Sequence, residues 1–104
     1  AAPRALPWHY QQQALGMYSA GWQLPPDWQF GHDRLLVWLL GLGGWTRIKG
    51  VLHTDRGWLA LNLTPASLGL TAHGGHTDNR LEVMADAPLD WTALEQGLLG
   101  CRVA

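Results

Sequence analysis

The sequence predicts an α+β domain, a two-layer sandwich whose mainly antiparallel sheet of about four to five strands carries two helices on one face. Three observations lead there. Several short segments alternate apolar and polar residues, the period of a half-buried strand. Two others run apolar at helical lengths, each with a recognisable start or stop. Their order is strand, helix, four strands joined by tight turns, helix, so both helices are free to cover a single sheet face.

The bounds agree. A chain of 104 residues holds one domain, large enough to bury a core without disulfides. Its 47% apolar and 14% charged content excludes a disordered tail. Seven tryptophans are more than so small a core accommodates, so some belong on a contact surface. A net charge of −1 argues against binding held mainly by phosphate contacts. The single cysteine, Cys101, cannot form an internal disulfide, which points to a reducing, cytoplasmic setting. No apolar run approaches the roughly 18 residues needed to span a bilayer, and no membrane partner is expected.

Residues 1–15 read as a linker or approach segment, with Pro3, Pro7, Gln11-Gln12-Gln13 and no period. The chain opens without a methionine, which suggests a processed product or a piece of something longer. Met17 to Leu24 is a strand with Tyr18, Ala20, Trp22 and Leu24 on one face, stopped by Pro25-Pro26. His32 to Leu42 reads as a helix with Asp33 as N-cap or first-turn acid and Gly41, Gly43 and Gly44 as stops. Its almost unbroken apolar run implies burial on more than one side, or a partner.

Trp45 to Thr54 and Trp58 to Leu63 form a hairpin about Asp55-Arg56-Gly57. Ser67 to Ala72 follows with Leu68, Leu70 and Ala72 inward; His73 to Asn79 is a polar loop; Arg80 to Ala85 is the last strand. Asp90 caps the final helix, with Leu89 and Leu94 placed as a hydrophobic staple. Trp91, Leu94, Leu98 and Cys101 make its apolar stripe, and Gly97 and Gly100 weaken it by roughly 1 kcal/mol each.

In the first strand of the hairpin, Arg47 and Lys49 share one face while Ile48 and Leu52 share the other. Trp45 and Trp58 flank the cations on that polar side, within reach for stacking. These four residues are the candidate interaction surface. The plain reading is a strand kept soluble by its cations; the functional reading is a docking surface. Gly50 marks close backbone approach or a bulge.

The order and spacing of these segments resemble the C-terminal domain of CobW-type GTPases, a family of P-loop proteins linked to metal trafficking and cobalamin synthesis. The resemblance runs from Tyr18-Ser19-Ala20-Gly21-Trp22 through the apolar helix to Arg47-Ile48-Lys49-Gly50-Val51-Leu52. It continues in Asn79-Arg80-Leu81-Glu82-Val83-Met84 and in Leu89-Asp90-Trp91, which opens the last helix. The chain departs from the pattern at Ser67 to Ala72, which is less aromatic, and at Met84-Ala85-Asp86. The resemblance implies that residues 16–104 form a CobW C-terminal-like domain. It implies GTP, Mg and Zn or Co for a full-length protein, held by an N-terminal G domain with a phosphate loop and a Cys-x-Cys-Cys motif. Neither motif occurs in this sequence. The implied partners are that G domain and a client metalloprotein.

No cofactor site is expected in this domain. His73 and His76, with His53 on a neighbouring strand, are weak metal candidates, because structural zinc sites usually need four ligands and no cysteine pair supports them. Ser19, Ser67 and Cys101 lack a neighbouring base, and Cys101 lies on an apolar stripe, which favours an inert thiol. No catalytic residue is assigned. The expectation is therefore a non-enzymatic accessory domain for interdomain regulation or client recognition. The alternatives are a stand-alone module for single-stranded RNA, which the net charge disfavours, and a small metal-binding domain.

Overall fold

The computed structural model describes residues 5–104. Its elements run β1 (Trp8–Ala14), β2 (Met17–Leu24), α1 (His32–Gly41), β3 (Arg47–Thr54), β4 (Gly57–Thr64), β5 (Ser67–His73), β6 (Asn79–Ala85) and α2 (Trp91–Gly100). One antiparallel sheet has the order β1-β2-β6-β3-β4-β5. The α+β class and the two helices are as expected, but the sheet has six strands, not four to five.

The additional strand comes from the expected approach segment. Trp8 to Ala14 pairs along its whole length with β2, closed by a turn in which Leu15 and Gly16 both take positive φ. That is the backbone a two-residue hairpin needs to match strand twist. Of the expected approach segment, residues 1–4 lie outside the described residues.

Alternation decides the two faces. Ala20, Trp22 and Leu24 of β2, Ile48 and Leu52 of β3, Leu59, Leu61 and Leu63 of β4 and Leu81 and Val83 of β6 are buried together. Leu35 and Leu39 of α1 and Leu94 and Leu98 of α2 close this core. The link across layers is partly polar, since Trp22 Nε1 donates to Glu95 Oε1 on α2 at 3.3 Å. Gly97, which costs α2 propensity, has a packing purpose: a Cβ there would lie 2.2 Å from Nε1 of Trp38 on α1. Trp38 and Trp91 pack against the core half-buried rather than within it.

Cover stops short of the sheet's far edge. Leu68 and Leu70 of β5 stand opposite Leu63 and Leu61, as their parity requires, yet they are 55% and 39% exposed. The expected inward packing of Leu68, Leu70 and Ala72 is thus corrected. They point to the helical side, yet they stay largely exposed there.

Both helix starts are capped by carboxylates. On α2, Asp90 accepts from Ala93 N at 3.0 Å, as the sequence indicates. On α1 the N-cap is Gly31, and Asp33 lies in the first turn. The carboxylate at that end is Asp55, from the β3–β4 turn, which accepts from His32 N at 2.9 Å. The fully buried Asn79 ties the same end together. Its Oδ1 accepts from His53 N at 2.6 Å, and its Nδ2 donates to Pro25 O and Trp28 O at 2.8 and 3.0 Å. The C-terminal residues bond back to Gln29 and Gly31, and the Arg102 guanidinium lies 3.7 Å over the Trp28 ring.

Candidate functional site on the open sheet face

The sheet face away from the helices forms a concavity of about 820 Å³. The odd-numbered residues of β3 and the even-numbered residues of β1, β4 and β6 supply most of it, as register demands. Trp8 and Tyr10 of β1 make an aromatic wall, their rings 5.4 Å apart and tilted by 35°. Arg47 and Lys49 of β3 lie toward the opposite side, with Glu82 of β6 in the floor between them.

A missing side chain shapes that floor. Gly21 of β2 stands between Tyr10 and Glu82 in the ladder. Without a Cβ it lets the Tyr10 ring lie flat across β2, because a Cβ there would come 2.2 Å from Cε1 of that ring. The Tyr10 hydroxyl thereby reaches Glu82 and donates to its Oε2. Burial, then that hydrogen bond, then the nearby carboxylate charge push the Tyr10 hydroxyl up to about 12. It is therefore a fixed donor at neutral pH.

The cations differ in commitment. Arg80 is held bidentately by the buried Asp78, at 3.2 and 3.0 Å. Arg47 gives its Nε to Asn62 Oδ1 at 3.3 Å, which leaves the outer edge of the guanidinium open. Lys49 is exposed and stands opposite Glu82, yet forms no ion pair among the described residues. With Arg80 paired to Asp78, the face presents two further cations and one carboxylate, so it is locally positive on a chain of net charge −1.

Of the four residues expected to make the surface, the structure joins two. Arg47 and Lys49 share the concavity. Trp45 does not, since the chain turns before β3 begins; its ring packs on the helical side beside Leu42, Leu89 and Leu94, with Nε1 donating to Leu42 O at 3.0 Å. Trp58 lies on the open side at the sheet's end, stacked on His53 at 4.7 Å rather than on either cation. Trp8, Tyr10, Gly21, Asn62 and Glu82 were missed as site residues. The alternation Trp8, Tyr10, Gln12 was the signal available for the first two.

The histidines do not assemble a metal centre. His53 Nδ1 lies 2.8 Å from Pro26 O and its Nε2 3.3 Å from Gln29 Nε2, so both nitrogens are engaged. His73 Nδ1 accepts from Gly75 N at 3.1 Å, and His76 Nδ1 lies 3.2 Å from Asp78 Oδ1. The His73 and His76 rings are 6.2 Å apart. Among the described residues, no group of three or more His, Cys, Asp or Glu converges as a metal site, so this side-chain set does not fit a zinc or cobalt centre. Cys101 is buried, and that burial pushes its thiol up, although Arg34 pulls the other way. Such a thiol makes a poor nucleophile. No helix of the described residues is long and apolar enough to cross a membrane.

Over 90 residues the chain is 31% identical to a zinc chaperone, YeiR, of Escherichia coli (strain K12). The alignment covers 86% of this chain but 27% of that protein, so the chain spans about a quarter of the length of its curated relative. No protein-family model matches the chain, and no solved structure does.

Proposed function

We propose that this chain is the accessory C-terminal domain of a CobW-like zinc chaperone, and that its open sheet face docks protein during metal delivery. The similarity to a zinc chaperone supports metal trafficking as the setting. The observation that carries docking is the open face itself, a concavity with two cations that form no ion pair among the described residues, on a helix-backed sheet. In this reading the domain is not an enzyme. GTP hydrolysis and zinc coordination belong to an N-terminal G domain of the same polypeptide, in the cytoplasm. The surface engages that domain or a client metalloprotein, so that docking regulates transfer. A place in cobalamin synthesis has no support beyond the family resemblance.

The test is zinc transfer from the complete polypeptide to a client apoprotein. Arg47→Ala with Lys49→Ala should slow transfer about tenfold while leaving zinc affinity unchanged. Unchanged transfer would remove the open face from the mechanism. Lowered zinc affinity would mean that the domain holds metal after all.

A further inference from the structure

Register, commitment and charge together restrict what the open face can hold. Arg47 and Lys49 are two residues apart on one side of β3, so their side chains leave the sheet about 6.6 Å apart. Asn62 fixes the Nε side of Arg47 and leaves the guanidinium's outer fork available, the geometry that takes a carboxylate bidentately. Lys49 forms no ion pair among the described residues, although Glu82 stands opposite it on β6. Arg80 is already neutralised by Asp78.

We propose that the open face binds an acidic peptide segment in extended form, with carboxylates two residues apart pairing with Arg47 and Lys49. This deepens the docking reading and rests on it. An extended peptide repeats its side chains on one face at the same spacing of about 6.6 Å, so an Asp-x-Asp or Glu-x-Glu segment lying along β3 meets both cations at once. Glu82 sets polarity across the concavity. Carboxylates are favoured over β3 and disfavoured toward β1, where Trp8 and Tyr10 offer an apolar seat to the flank of the peptide.

A nucleic-acid strand presents anions at comparable spacing, but the face suits it less well. Two uncommitted cations on a chain of net charge −1 supply little counterion release. The floor carboxylate opposes a continuous run of phosphates. The Tyr10 ring is laid across Gly21 and tethered at its hydroxyl, not raised as a stacking platform.

The experiment is calorimetric titration of the chain with three probes: an acetylated Gly-Asp-Gly-Asp-Gly peptide, its Asn counterpart and oligouridylate. The Asp peptide should bind, weaken as salt rises, and lose at least about tenfold in affinity with Lys49→Ala or Arg47→Ala. Both side chains are exposed, so the variants should keep the parent melting profile. Equal binding of Asp and Asn peptides, or tighter binding of oligouridylate, overturns the proposal. So does absence of Asp-peptide binding. If zinc transfer still falls on substituting Arg47 and Lys49, only the ligand chemistry is wrong; if transfer is also unchanged, the docking reading fails with it.

Discussion

The two faces of this sheet are made by alternate residues of the same strands, and they are organised by different forces. On the helical face Ile48, Leu52, Leu81 and Val83 are fixed by close packing with α1 and α2. Burying each such side chain contributes about 1.5–3 kcal/mol relative to leaving it exposed. On the open face no described element packs above the side chains, so position is set by hydrogen bonds and by a gap: Tyr10 to Glu82 across Gly21, Arg47 to Asn62, Arg80 to Asp78. A single-residue step along β3 therefore moves from a position that holds the fold to one that leaves stability nearly untouched. Residues on the second kind of face are free to serve recognition.

The sharpest test of that contrast uses neighbours. Ile48→Ala should cost about 2–5 kcal/mol in urea unfolding, because a fully buried side chain is replaced by a cavity. Lys49→Ala, the next residue, should change stability by no more than about 0.5 kcal/mol. Comparable losses at the two positions would mean that the open face is structural after all.

Gly50 probes the seam that both faces share. A Cβ there would lie 2.1 Å from the carbonyl oxygen of Arg80, a backbone atom of the adjoining strand that cannot swing aside. The close approach expected from sequence is thus the ladder between β3 and β6. Gly50→Ala should cost about 1–3 kcal/mol by forcing those strands apart. An unchanged melting temperature would show that the ladder yields without loss.

The smallest expected effect concerns pH and belongs to the open face alone. Tyr10 is raised from 10.0 to about 12, so its protonated form is favoured by folding. The associated stabilisation is complete below pH 10 and is lost as pH rises through about 12. Phenolate absorbance should show one of the two tyrosines titrating near that upper value. Tyr10→Phe should abolish that step. A Tyr10 that ionises near 10.0 would break the proposed link to Glu82.

Period-two alternation made most of this fold legible. It located β2, β3, β4, β5 and β6 and put Arg47 and Lys49 on the face opposite Ile48. It failed at β1 because the alternation there is confined to Trp8 and Tyr10; Gln11, Gln12, Gln13 and Ala14 are all exposed on an edge strand and carry the rhythm no further. Parity also says where a side chain points, not whether anything covers it; hence Leu68 and Leu70 were given the right side and the wrong environment. Trp45 shows the opposite limit. Strand parity carried past the start of β3 assigns it to the cations, but it precedes the strand and packs on the helical side. The Tyr10–Glu82 contact joins residues 72 positions apart across an intervening strand, and local pattern carries no trace of it.

β1 is fastened in two ways, by its ladder to β2 and by a hydroxyl that reaches over β2 to the strand beyond. If this edge detached, the concavity would lose its aromatic wall and Glu82 would lose its donor in the same step. Shape and polarity of the open face thus depend on the same edge strand, which supplies both the aromatic wall and the donor that positions Glu82.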